Sequence, residues 1–348
     1  MNLYKSKLYC SDLEEALSSV PSLERLRGSS VLIGGATGLI GSFLTDMLLA
    51  YGNHGGNVHV YAMGRSLERL QKRFEGVRTD FLHLVEHDVT NPLCFDFQVD
   101  YIINAASNAY PASFNLDPVG TIMGNILGTR NMLDFGSEKG MRRFLYVSSG
   151  EVYGQGEISS SPYVESYSGY VDPMSARSCY PNGKRAAETL CAAYSKQYDV
   201  DVVVGRPCHT YGPNVTASDN RANVQFVNNV LKGEDIVLKS AGLQERSYCY
   251  VADCASALLT VLLEGEKMEA YNIANQNSVV TIAEFAKEVA EQAGRKLVYA
   301  EPDKAALAER TPIMRQVLDA GKLVQLGWNG KFSLKKGISH TLNILKGE

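Results

Sequence analysis

The sequence predicts an α/β protein: a doubly wound parallel sheet with a smaller α/β C-terminal substrate lobe. Three observations carry this. Short β-branched runs alternate with amphipathic helical stretches from residue 30 to about 207. A glycine-rich turn joins the first run to the first helix. Beyond 207 the alternation loosens into turn residues, isolated helices and short strands.

Taken in order, residues 1–28 place Leu13, Leu17, Val20, Leu23 and Leu26 at helical spacing and read as a helical extension packed on the main domain. Strands are expected at 31–35, 58–63, 81–86, 101–106, 143–149 and 200–207, with helices at 39–50, 66–75, 121–139 and 181–197. Residues 29–207 then form the main domain. Residues 208–348 form mainly the second lobe, with the helix and strand of 250–275 returning to the main sheet. The end of the chain is helical, with one turn around Gly327 and Trp328.

The bulk properties narrow the function. With 348 residues, 45% of them apolar and a formal net charge of -4, the chain can bury a large core and offers no basic excess for nucleic acid or membrane surfaces. No run approaches a membrane helix, and the polar start is not a signal peptide, so a cytoplasmic location is expected. The 7 cysteines are scattered without a CxxC pair, as free thiols in a reducing compartment would be. His83 and His87 fall on a strand whose alternation gives no zinc site, so no metal is expected.

The first strand runs into Gly35-x-x-Gly38-x-x-Gly41 and then an apolar helix opening on Leu39 and Ile40. Such glycines permit a tight turn and close approach of a pyrophosphate, whose charge meets the helix N-terminus. In this strand–turn–helix context the motif marks a Rossmann NAD(P)-binding domain. The second strand ends in Gly64-Arg65-Ser66, where an NAD enzyme would present an acid to the ribose. Arg65 and a hydroxyl suit a 2′-phosphate, so the residues leave NAD and NADP open, with Arg65 on the side of NADP. Asp88, followed by Val89 at the end of the third strand, is placed to accept from an adenine amino group.

Tyr180 and Lys184 form YxxxK at a helix start and share one helix face. A tyrosine is a poor base near neutrality; an adjacent ammonium and a cationic nicotinamide would stabilise its phenolate. Such a Tyr can take a hydroxyl proton as hydride leaves for the cofactor, and Ser149, at a strand end, can hydrogen-bond the same oxygen.

These motifs resemble the extended short-chain dehydrogenase/reductases, the NAD-dependent epimerase/dehydratase group acting on nucleotide-activated sugars. The resemblance covers nearly all of the chain beyond residue 28. It rests on GATGLIG, on NAAS with Ala105, Ala106 and Ser107, on Asn125, on VSSGEVYG, YxxxK, RPCHTYGPN, RSYCYVAD and LGW. Residues 164–194 are most similar to UDP-glucuronate decarboxylases. The resemblance implies that Ser149, Tyr180 and Lys184 oxidise a sugar carbon to a ketone. That ketone acidifies the neighbouring carbon for decarboxylation, elimination or epimerisation. It implies cofactor contacts from Ala105 and Ala106, a diphosphate grip from Arg246, and sugar-nucleotide contacts from Ser107, His209, Arg221 and Gln225. It favours NAD, and it implies a homodimer through the helices at 121–139 and 181–197.

Several positions depart from the pattern: His209 stands where an Asn is common in the RxxNxYGP loop, Cys179 precedes the Tyr, and the stretch after Ser149 differs. The decarboxylases carry a hydroxyl residue, and 4,6-dehydratases an Asp, where this chain has Gly150; many 4-epimerases lack the carboxylate that follows, here Glu151. Glu151, His209 and Cys179 are therefore candidates to move protons beside a ketone. The reading is decarboxylase- or epimerase-type modification of a nucleotide sugar. An NADP-dependent reductase, a 4,6-dehydratase and a non-catalytic cofactor-sensing scaffold stand as alternatives.

Overall fold

The structure, a computed structural model, describes residues 2–155, 161–216, 219–301 and 313–347. Its main sheet is all parallel, in the order β3-β2-β1-β4-β5-β6-β10. The strands are β1 (Ser30–Gly34), β2 (His59–Gly64), β3 (Leu82–Glu86), β4 (Tyr101–Asn104), β5 (Arg143–Val147), β6 (Val202–Pro207) and β10 (Ala270–Ile273). The order reverses between β1 and β4, which opens a crevice at the carboxyl ends of those two strands. β1, β4 and β5 are buried almost throughout, as strands covered by helices on both faces must be.

The helices that face the crevice are α2 (Leu39–Tyr51), α5 (Pro118–Glu138) and α6 (Cys179–Tyr198). Asp117 caps α5 by accepting from the Gly120 N–H, with Pro118 at the first helical position. α2, by contrast, begins at Gly38 with no side-chain cap, which leaves its first N–H groups open. α5 and α6 pack against one another along most of their length.

A second sheet was not anticipated. β9 (Glu245–Tyr250) lies at its centre, between antiparallel β11 (Val279–Thr281) and parallel β13 (Arg315–Gln316), and also pairs with β7 (His209–Tyr211). A third pair joins β8 (Ile236–Leu238) to β12 (Leu297–Tyr299). Apart from β9, these strands are two or three residues long and carry too little alternation to be seen in a single sequence. Between them run α8 (Val251–Glu264), fully buried over most of its length, and α9 (Ile282–Gln292), which starts on a Thr281/Glu284 capping box.

The N-terminal helix α1 (Lys7–Leu17) packs on α2 and α8. Buried Asp46 of α2 accepts from the hydroxyls of Tyr4 (2.6 Å) and Tyr9 and pairs with Arg73. Buried Asp12 accepts from Tyr250 Oη and His340 Nδ1, each at 2.7 Å. Each burial of a carboxylate is thus answered by donors from a distant element.

The motifs YVAD and LGW have structural work. Asp253 accepts from the Lys331 and Phe332 N–H groups and from Asn275, while burial pushes its carboxyl up to about 6. Trp328, fully buried, donates to Ser256 Oγ at 3.0 Å. Together they dock the segment that leads into the last helix, Leu334–Lys346, onto α8.

Candidate active site

The crevice deepens into a cavity of about 510 Å³. One end is made by the glycine turn. Gly35 has φ +77°, and a Cβ there would stand 2.7 Å from the Ala105 carbonyl oxygen. At Gly41 a Cβ would stand 2.3 Å from the Gly35 carbonyl oxygen. Both positions are required by backbone packing of the turn itself. Gly38 differs: a Cβ would meet only the Gly35 oxygen, at 3.3 Å, and the residue lines the cavity. With the uncapped start of α2 behind it, this wall fits a pyrophosphate.

At the adjoining end Arg65, Ser66, Arg69, Asp88 and Val89 line the wall. Arg65 donates to Asn108 Oδ1 at 3.3 Å. Burial works to raise the Asp88 carboxyl, but the Thr90 N–H and hydroxyl and the Arg65 charge outweigh it and hold the group low. Ala105, Ala106 and Ser107 follow β4 along the floor, and Ser107 Oγ donates to Asn125 Oδ1 at 3.1 Å.

The opposite end gathers Ser149, Glu151, Tyr180 and Lys184. Ser149 lies two residues past the end of β5 and caps the 3-10 turn Gly150–Tyr153, accepting from the Glu151 N–H at 3.1 Å. Its hydroxyl also stands beside Tyr180 and favours that residue's ionised form. Tyr180 and Lys184 lie one turn apart on the buried face of α6. Burial pushes the Tyr180 hydroxyl up to about 12, the Glu151 charge adds to this, and Ser149, Arg221 and Arg177 pull against it. Burial pushes Lys184 down to about 7 despite the nearby Glu188 carboxylate. The ammonium donates to the Val147 carbonyl at 2.8 Å and sits 5.8 Å from the Tyr180 ring centroid. It lies under the ring and is not bonded to the hydroxyl, so the charge that favours a phenolate must come largely from another group.

The remaining expected residues divide. His209 and Arg221 reach the cavity wall. Burial pushes the His209 ring down to about 3, with the Arg246 and Arg221 charges adding, so the imidazole is neutral. Arg221 is already paired with Asp219 at 2.6 Å. Gln225 and Arg246 are not on the wall. Gln225 is exposed on α7 (Ala222–Leu231) and donates to the Asn220 carbonyl. Arg246, buried on β9, gives its guanidinium to the carbonyls of Glu245, Ile313 and Met314, because a short sheet edge there needs donors. Cys179 is a buried thiol held up by desolvation and packed with Phe114 and Tyr180; it does not face the cavity.

Several lining or supporting residues were not foreseen. Glu188 lies one turn beyond Lys184, accepting from Ser148 at 2.5 Å and pairing with Arg206 at 2.7 Å. Its i+4 spacing was a signal available in the sequence. Gln316, nearly buried, lines the cavity and donates to the Gly150 carbonyl at 2.9 Å. Leu318 stands where a side chain at residue 150 would go: a Cβ there would be 3.2 Å from its Cδ1. No local pattern announces either residue. Among the described residues no group of three or more His, Cys, Asp or Glu could hold a metal ion, and no helix is long and apolar enough to cross a membrane.

Comparison with known proteins bears on this arrangement. Residues 31–274 match the family model described as the NAD dependent epimerase/dehydratase family. UDP-glucuronic acid decarboxylase 5 of Arabidopsis thaliana is 36% identical over 341 residues, covering 94% of this chain and 94% of its own. Among solved structures, a dTDP-glucose 4,6-dehydratase from Streptomyces venezuelae with NAD bound is 23% identical at a TM-score of 0.78, over 92% of this chain and 97% of its own. The Pseudomonas aeruginosa protein RMD, complexed with NADPH, is 22% identical at a TM-score of 0.72, over 92% of this chain and 99% of its own. These two likenesses concern the fold.

Proposed function

The chain belongs to the NAD dependent epimerase/dehydratase family, and from that premise we propose that it remodels a nucleotide-activated sugar through a transient ketone. The observation that carries the reading is that Ser149 and Tyr180, with Lys184 beneath the ring, line the end of the same cavity that the glycine turn closes. A nicotinamide dinucleotide fits the turn and the uncapped α2, and when bound it supplies the hydride acceptor and a positive charge. Tyr180 then takes the proton of a sugar hydroxyl, Ser149 holds the same oxygen, and Lys184, beneath the ring, contributes only a minor share of the charge that favours the phenolate. Glu151 lies on the sugar side, within reach of protons on the carbon beside the ketone.

Two second steps are weighed. Identity to a decarboxylase over 94% of the chain supports loss of carbon dioxide. Gly150 beside Glu151 supports epimerisation, since the hydroxyl neighbour is missing and Leu318 fills its place. Incubating the protein with UDP-, dTDP-, CDP- and GDP-sugars and reading product mass decides among them. Loss of carbon dioxide, loss of water, or an isomer of unchanged mass each names one second step. Reduced cofactor accumulating in step with a stable keto product identifies net oxidation. No turnover of any of these sugars overturns the reading.

For the cofactor, we infer NADP. Arg65, Ser66 and Arg69 converge where a ribose 2′-phosphate would lie, and Gly64 stands where the NAD-type acid would be. NADP is expected to bind at least about tenfold tighter than NAD. Arg65→Ala with Arg69→Ala should abolish that margin while NAD affinity stays within about threefold. Equal affinity of the wild-type protein for both, measured by calorimetry, excludes the inference.

A further inference from the structure

Arg177 stands in the 3-10 turn Ala176–Ser178 that leads into α6, three residues before Tyr180. The catalytic trio and the glycine turn make no demand on it, yet its guanidinium is held twice. Nη2 donates to both oxygens of Glu151, each at 3.1 Å. Cζ lies 4.6 Å over the centroid of Phe114, a buried ring on the short helix α4 (Pro111–Leu116). The same ring stacks on Tyr180 at 4.8 Å, with planes 23° apart. A planar, weakly hydrated guanidinium suits this seat: its face lies on an aromatic ring while its edge meets a carboxylate. An ammonium has no such face.

A carboxylate beside a tyrosine that must lose a proton is a liability. Its charge holds the proton on the phenol, and a freely turning Glu151 would compete to accept that proton's hydrogen bond. The groups facing Tyr180 are Ser149, Glu151, Arg177, Arg221 and, under its ring, Lys184. Lys184 is bonded to the Val147 carbonyl and Arg221 to Asp219. Glu151 also feels the buried Arg246, whose hydrogen bonds go to backbone carbonyls.

We propose that Arg177 is the positioning residue of this site: seated on Phe114, it fixes the Glu151 carboxylate on the sugar side and answers its charge, leaving Tyr180 free to accept the sugar's proton. The proposal rests on the reading of Tyr180 as proton acceptor. It distinguishes Arg177 from a surface ion pair, whose loss would be felt as a small change in stability alone.

The test uses the cofactor-loaded protein. The fraction of Tyr180 ionised at a fixed alkaline pH is read from tyrosinate absorbance, with Tyr180→Phe as the blank. Arg177→Met is expected to lower that fraction about 3- to 10-fold, Arg177→Lys by less, and Glu151→Gln to raise it. Arg177→Met placed on Glu151→Gln should add no further change, because no charge remains to be answered. In turnover of UDP-glucuronate or UDP-glucose, kcat should fall with Arg177→Met while KM stays within about twofold. An unchanged fraction in Arg177→Met, or an equal loss in the Glu151→Gln background, overturns the proposal. Failure of the underlying reading shows differently, as full turnover by Tyr180→Phe whatever the Arg177 variants do.

Discussion

Tyr180→Phe is expected to lower turnover by about two to four orders of magnitude while the cofactor still binds within about threefold of wild type. The ring is 6% exposed and stacked on Phe114 at 4.8 Å, and phenylalanine preserves that packing. What it removes is one hydroxyl, the group on the cavity wall whose ionised form Ser149 favours. The step that suffers is hydride transfer, since the sugar hydroxyl then has no acceptor for its proton. Rapid mixing of the cofactor-loaded variant with the sugar nucleotide that wild type converts, followed by reduced-cofactor absorbance, isolates that step. Turnover within about threefold of wild type means that another group takes the proton. In the free protein Tyr180 is pushed up to about 12 and Lys184 down to about 7. Both shifts oppose a phenolate–ammonium pair, so wild-type activity should rise with pH through the neutral range as the small phenolate fraction grows.

Gly41→Ala should abolish measurable cofactor binding, a loss of at least about a hundredfold, because its methyl would sit 2.3 Å from the Gly35 carbonyl oxygen. That oxygen is backbone, held in the turn by the Gly38 N–H at 3.0 Å, and cannot swing aside as a side chain would. The turn must open, and the N–H groups at the start of α2 lose their aim. Gly38→Ala separates cofactor contact from folding. Its methyl meets the turn only at 3.3 Å, so thermal unfolding should stay close to wild type. It stands on the cavity wall, so affinity should still drop by about tenfold or more. Calorimetric titration of both variants checks the pair. Gly38→Ala binding as tightly as wild type would mean that the dinucleotide does not approach this turn.

The expected site residues that the fold brings to one cavity are mostly neighbours in sequence or on one helix. Gly35 to Gly41 belong to one turn, and Tyr180 and Lys184 to one face of α6, so spacing alone brings each set together. The expected strands of the main sheet are found within two residues of their limits; those at 101–106 and 143–149 stop two residues early, at Asn104 and Val147, where the chain passes into the floor of the crevice. Arg246 shows the opposite case. Its motif pointed to a diphosphate, but the partners that claim its guanidinium are carbonyls at 313 and 314, far along the chain. Asp253 and Trp328 belong to motifs on which the family resemblance rests, and in the structure they make docking contacts with the C-terminal segment.

By itself the sequence determined the class of sheet, the dinucleotide turn and the family, because periodicity and contiguous motifs are local properties of the chain. Only the tertiary structure decided what surrounds Gly150 and Glu151. Gln316 arrives there from the second sheet and Leu318 from just beyond it, Phe114 comes from the short helix α4, and Arg177 meets Glu151 across the entrance to α6. These are contacts between residues tens to more than a hundred positions apart. Their existence depends on how the two sheets close on one another, and no spacing within a single segment encodes that.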